Sequence, residues 1–251
     1  MTQTFFIATP DQAAEATATG LPCALLCYRI RQGGVLQSTA LPRATRGCLM
    51  GITTAADPDA AALPRLQQQL LAECRRRGYP GIFFCAPLPS DALQILCSAL
   101  QAQGLSVFLP PESACHSPHS FALLCGSLSG GSFHQMIRDY AARFPQARMA
   151  LLMPRCRHRF SIPAASADGT PLPADRQPPE PMFYSPDLCT NYRLIPTPED
   201  GLDFLLADDA TSIACRIRAA SDCGIPYAFL SFAEWQAEAA ELAQTLRQTK
   251  E

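Results

Sequence analysis

A chain of 251 residues that is 48% hydrophobic and 17% charged can bury a sizeable core and is not a disordered segment. Its formal net charge of −2 excludes the broad basic surface of a general nucleic-acid binder. No apolar run approaches the roughly 18 residues needed to cross a bilayer, and MTQTFFIATPDQ has no basic n-region, so no signal peptide is read and a cytoplasmic location is expected.

In chain order, short apolar runs predict strands at 5–9 (FFIAT), 23–30 (CALLCYRI), 48–53, 81–87, 105–110, 120–126, 148–154 and 226–232. They are apolar on consecutive residues rather than alternate ones, which suits parallel strands covered on both faces. Helical patterns lie between most of them. Residues 59–77 place Leu63, Leu66, Leu70 and Cys74 at spacings of three and four and stop at Gly78. Residues 90–103 enter through Ser90-Asp91 and end at Gly104, and 131–144 carry Phe133, Ile137, Tyr140 and Phe144 on one stripe. Residues 209–223 carry Ile213, Ile217 and Ala220 before Gly224, and 232–248 present Trp235, Leu242 and Leu246. Eight strands alternating with helices predict an α/β fold, a single-domain (β/α)8 TIM barrel over 1–251; an open doubly wound sheet is the alternative. Residues 161–198 are rich in proline, which removes backbone donors, so they predict an extended loop. That loop follows the seventh strand and should hang over the barrel face where enzymes of this architecture build their sites. The 12 cysteines form no C-x-x-C pair, and several, Cys23, Cys27, Cys85 and Cys125 among them, sit inside apolar runs; reduced, mostly buried thiols are expected.

Three segments, in order, carry a resemblance: GYPGIFF (78–84), FPQARMALLMPRCRHRF (144–160) and LLADDATSIACRIRAASDCGIPYAFLSF (205–232). They resemble the fourth strand, the seventh strand and the closing segment of family 18 glycoside hydrolases, the chitinase-like barrels, particularly compact bacterial members related to spore cell-wall enzymes. The resemblance implies a barrel acting on N-acetylglucosamine-containing glycan. In that family the fourth strand carries D-x-x-D-x-D-x-E, whose Glu protonates the leaving oxygen while the neighbouring Asp steadies the substrate's N-acetyl group. Those four positions fall here on Pro80, Phe83, Cys85 and Pro87, none of them a carboxylate. The sixth strand, FALLCGS, also lacks the family's Tyr and Asp, and Ser231-Phe232 stands where a substrate-stacking Trp is usual, with Trp235 following.

The expectation is therefore a catalytically inactive barrel that binds an amino-sugar polymer or cell-wall fragment, or serves as a scaffold. One alternative is an active hydrolase with relocated carboxylates: Glu112 after the fifth strand, and Asp57, beside Asp59, after the third. Another is an anion binder built on Arg155, Arg157, His158 and Arg159 after the seventh strand, unless those arginines pair with Asp168, Asp175 or Glu180. Phe232, Trp235 and Tyr184, with Phe183 and Tyr192, are the candidate aromatic contacts to sugar rings. Cys115, His116 and His119 form C-H-x-x-H, but zinc sites need three or four ligands with supporting partners, so a polar surface loop is the preferred reading and no metal or cofactor is expected. Gly130-Gly131 lacks the lysine and spacing of a phosphate-binding loop and is read as a loop and helix start.

Overall fold

Consecutive apolar residues along each strand have two destinations, because successive side chains of a strand point to opposite faces. The computed structural model describes residues 1–55, 60–85, 87, 90–114, 120–127, 132–144, 148–162, 169–173, 178–198 and 201–248, and shows both. In chain order the first half contains β1 (Gln3–Ala8), α1 (Ala13–Ala18), β2 (Cys23–Arg31), β3 (Val35–Ser38), β4 (Leu49–Ala55), α2 (Leu63–Arg77), β5 (Gly81–Phe84), α3 (Ser90–Gln101), β6 (Ser106–Leu109) and α4 (Pro111–Ala114). The second half contains β7 (Phe121–Cys125), α5 (Phe133–Arg143), β8 (Arg148–Leu152), β9 (Arg157–Ile162), β10 (Thr170–Pro171), β11 (Phe183–Ser185), β12 (Thr190–Pro196), β13 (Leu202–Ala207), α6 (Ala210–Asp222), β14 (Tyr227–Ser231), α7 (Phe232–Trp235) and α8 (Ala239–Gln248).

Eight parallel strands run in the order β1-β14-β8-β7-β6-β5-β4-β2, and β1 pairs with β2 to close the ring. Closure excludes the open doubly wound sheet, and each of the eight predicted strands is a stave of the barrel. Outward residues such as Phe6, Leu25, Met50, Ile82, Phe84, Val107, Leu124 and Leu230 pack under the helices. Inward residues form a separate cluster of Phe5, Ala24, Leu49, Phe83, Phe108, Phe121, Leu123, Ala150 and Phe229. Six rings interlock in that interior: Phe229 lies 5.4 Å from Phe5, 4.9 Å from Phe83 and 5.0 Å from Phe108, while Tyr227 lies edge-on to Phe108 and Phe121 at 5.0 and 4.8 Å. Each buried phenylalanine contributes about 1.5–3 kcal/mol of transfer free energy. Where strands must approach most closely, the sequence supplies glycine: a Cβ on Gly81 would overlap the Ser106 carbonyl of the neighbouring stave.

Two features differ from the sequence reading. A short strand, β3, returns antiparallel on β2 through Gly33 and Gly34, both at positive φ. More important, the stretch 161–198, expected as an extended loop, carries strands. With its flanks it builds a five-stranded antiparallel sheet, order β10-β9-β13-β12-β11, between the seventh and eighth staves. The prolines do not prevent it because, among the described residues, they terminate strands (Pro171, Pro196) or lie between them (Pro173, Pro178, Pro179, Pro181, Pro186, Pro198) and so remove no ladder donor from a strand interior.

This sheet is tied to the barrel by one buried carboxylate. Asp208, at the end of β13, accepts hydrogen bonds from Arg216 Nη2 (2.8 Å) on α6, from Thr190 Oγ1 on β12, from Ser212 Oγ (3.3 Å), and from the Cys156 backbone N–H (2.7 Å) between β8 and β9. Both Asp208 and Arg216 side chains are wholly buried. Arg216 Nε also donates to the Cys189 carbonyl in the β11–β12 turn. Next door, Asp209 caps α6 in a reciprocal box with Ser212. Removing one partner leaves an unpaired buried charge, which costs about 3–5 kcal/mol. In urea unfolding, Arg216→Met and Asp208→Asn should each lower stability by about that amount. The double variant should lose less than the sum of the two; full additivity would show that the pair is not coupled.

Candidate functional site

The C-terminal ends of the staves form the mouth of the barrel, and β5 decides its chemistry. Pro80 precedes the strand and is exposed. Phe83 points inward and is 3% exposed, its ring packed on Phe229. Cys85 occupies the next inward position, reaches solvent, and continues the ladder by donating its backbone N–H to Ile52 O at 2.9 Å. Pro87 is exposed. Ile7, Leu26 and Leu152 cover the ring cluster. Polar groups described at the ends of neighbouring staves include Cys125, whose Sγ donates to Ser127 Oγ at 3.2 Å, and Thr53, whose Oγ1 donates to Tyr28 O at 3.2 Å. A general acid for glycoside cleavage needs a proton that is held, yet releasable, near the working pH. The surroundings of Cys85 push its thiol up to about 11 by desolvation, so it is neutral at pH 7 and neither donates usefully nor carries charge.

Among the described residues the other sequence candidates do not converge on one point. Glu112 stands on the single turn α4, directly after β6, and is exposed. Asp57, Asp59, Cys115, His116, His119, Gly130, Gly131, Asp168 and Asp175 lie outside the described residues; among the described ones no three potential ligands gather around a metal position.

Arg155 is committed internally. One nitrogen, Nη2, donates to both oxygens of Glu238 at 2.8 Å; Nη1 donates to the Glu234 carbonyl at 3.1 Å, and the guanidinium lies 4.2 Å over the Trp235 ring. Arg155 and Arg157 share a cleft of about 530 Å³ with Glu15, Glu234 and Glu238. Three carboxylates against two arginines make it a poor anion trap. Arg157 and His158, neighbours on β9, face opposite sides of the sheet, and His158 Nδ1 lies 3.9 Å from Cys156 Sγ. Arg159 pairs with Asp203 at 2.6 Å.

Phe232 and Trp235, expected to meet sugar rings, are both 0% exposed. They form the inner side of α7, where Phe232 packs edge-on against Phe6 at 5.4 Å, so neither ring is offered to solvent. The exposed rings lie on the inserted sheet. Cross-strand register places Phe183, Tyr192, Leu206 and His158 on one face, with Leu194, Phe204 and Phe160 beside them. Phe183 and Tyr192 rings are 6.1 Å apart, and Tyr192 and Phe204 rings 5.8 Å. On this face Phe183 is 56% and Leu194 48% exposed. Tyr184 belongs to the opposite face; it is 41% exposed, and its hydroxyl lies against the Cys189 thiol and the Cys215 thiol of α6. Phe160, Phe204 and the Asp208–Arg216 anchor are the elements that the sequence reading did not single out. The signal was present in D-D-x-x-S, a capping box preceded by an acid, with Arg216 two helical turns on.

The raised thiol gives a direct test of the mouth. With a pKa near 11, thiolate makes up roughly one part in ten thousand at pH 7. Alkylation of Cys85 by iodoacetamide, followed by peptide mass spectrometry, should speed up about tenfold per pH unit from pH 7 to 10. A rate already at plateau by pH 8 would contradict this environment.

No family model and no curated protein matches the chain. Solved structures do. The chain superposes on a glycoside hydrolase family 18 N-acetylglucosaminidase from Paenibacillus barengoltzii with a TM-score of 0.64 and 10% identity, covering 99% of each chain. With the Bacillus cereus spore cortex-lytic enzyme SleL the score is 0.63 at 12% identity, covering 97% of this chain and 74% of that one. With a family 18 chitinase from Cycas revoluta, in complex with allosamidin, it is 0.59 at 11% identity, covering 99% and 100%. At these identities the likeness is one of fold: the chain is a (β/α)8 barrel similar in architecture to those of family 18 glycoside hydrolases.

Proposed function

We propose that this barrel binds an amino-sugar polymer or cell-wall fragment without hydrolysing it. The observation that carries the reading is the end of β5, where an inward phenylalanine, a neutral thiol and a proline stand in place of acids. Transition-state charge stabilisation and proton transfer together supply many powers of ten in glycosidase rate, and nothing on this strand can provide them. The ligand class follows from proteins of the same fold, among them an N-acetylglucosaminidase and a spore cortex-lytic enzyme. Its contact surface on this chain is the open aromatic face of the inserted sheet, because the apolar faces of sugar rings stack on flat side chains, and Phe183, Tyr192 and Phe204 form a continuous row. Arg155, Phe232 and Trp235 serve instead to hold α7 against the barrel. Every described cysteine is a free thiol, which supports placing the protein in a reducing, cytoplasmic compartment.

Titration with an N-acetylglucosamine hexamer and with soluble peptidoglycan fragments, read by calorimetry, should give saturable binding to one of them. Phe183→Ala, which removes an exposed ring without opening the core, should weaken that binding about fivefold, equivalent to roughly 1 kcal/mol of stacking. Absence of binding to either ligand at millimolar concentration would overturn the proposal, and so would binding indifferent to Phe183→Ala and Tyr192→Ala alike.

A further inference from the structure

The opposite end of the barrel has its own opening, and its chemistry differs from that of the mouth. Strand parity sends Ser106 inward with Phe108, and Arg148 inward with Ala150. Together with Phe121 and the α3–β6 turn they line a cavity of about 550 Å³, whose wall is Ser98, Gln101, Ala102, Gly104, Leu105, Ser106, Phe121 and Arg148. The Arg148 guanidinium sits 5.7 Å over the Phe121 ring. Among the described residues no carboxylate pairs with it. Among the described residues the wall contains no acid. Beside it, Gln101 Nε2 is buried and has no acceptor. Among the described residues the polar groups of this wall are therefore an exposed guanidinium, an amide N–H without a partner, and two hydroxyls free to turn as donors.

We propose that this N-terminal opening binds a phosphate-type oxyanion, either inorganic phosphate or the phosphate group of a small metabolite. A guanidinium presents paired N–H donors that match a phosphate edge, and a cation already held over an aromatic ring loses little freedom on binding. A neutral sugar would leave the arginine without a counter-charge, and a cation would meet one of its own sign. The burial of Gln101 Nε2 has a physical cost that an anion's oxygen would remove. Ala102, Leu105 and the Phe121 edge give a small carbon skeleton a surface to rest on. This site lies at the other end of the staves from the mouth, so it stands or falls independently of glycan binding.

The test uses the full chain at constant ionic strength, with chloride replaced stepwise by inorganic phosphate. Melting temperature should rise with phosphate concentration, and the phosphate ³¹P resonance should broaden on adding protein. Arg148→Met keeps an unbranched stem over Phe121 but removes the charge; together with Gln101→Leu it should weaken binding at least tenfold. Glucose 6-phosphate run beside inorganic phosphate separates the two sources: tighter binding of the ester assigns the site to a metabolite, and equal binding assigns it to the free ion. Phosphate giving no more than chloride overturns the proposal, as does a ³¹P response unchanged in either variant. Should Arg148→Met not fold, Gln101→Leu and the wild-type ³¹P titration decide the question.

Discussion

The interior of this barrel is closed by aromatic rings, and most of what the molecule can do follows from that packing. Phe5, Phe83, Phe108, Phe121, Tyr227 and Phe229 interlock across staves that are far apart in sequence. A ring at Phe83, 3% exposed and packed on Phe229, fills the inward position near the end of β5 with an apolar group, where an ionised side chain would lose its hydration. A carboxylate there would be an unsatisfied charge rather than a catalyst. Cys85 follows Phe83 on the same side of β5 and reaches solvent, and burial of its surroundings keeps that thiol protonated. The two proposed binding surfaces accordingly lie off the axis at the rims: an aromatic face above, and an opening that contains Arg148 below.

The upper rim depends on the inserted sheet being held in place, and the Asp208–Arg216 pair does this at the junction of β8–β9, β12, β13 and α6. A buried ion pair adds little net stability over an apolar equivalent, since desolvation offsets most of its Coulombic gain. Its hydrogen bonds are directional, however, and they converge from three separate segments on the one carboxylate that follows β13. That geometry fixes where the sheet leaves the barrel, and so which of its faces rests on α6 and which stays open. Arg155 acts similarly on the next stave, clamping Trp235 and Glu238 to the end of the β8 segment.

The barrel was legible in the sequence because burial on both faces writes a consecutive apolar run, and because Gly78, Gly104 and Gly224 mark where helices give way to strands. The inserted sheet was not legible in the same way. Proline content argued for a loop, although prolines at strand ends leave a ladder intact, and strands such as 190–196 have one face open and so lack a strong apolar signature. At the site, residue type was readable and direction was not. Phe232 and Trp235 carry the chemistry of sugar contacts, but the first turn of α7 turns both inward; Tyr184 and Phe183 are adjacent yet face opposite sides. For Arg155 the sequence offered Asp168, Asp175 or Glu180 as partners, and Glu238, 83 residues away, was not among them. The absence of acids at Pro80, Phe83, Cys85 and Pro87 needed no structure to be seen; the packing explains why that absence is built into the interior.

Mass spectrometry of an N-acetylglucosamine hexamer incubated for days with the purified full-length chain addresses the inert barrel most directly. The account predicts intact hexamer in the same proportion as in buffer alone. Shorter oligomers that accumulate with the wild-type chain and disappear with Glu112→Gln would contradict it and place a working carboxylate at the mouth.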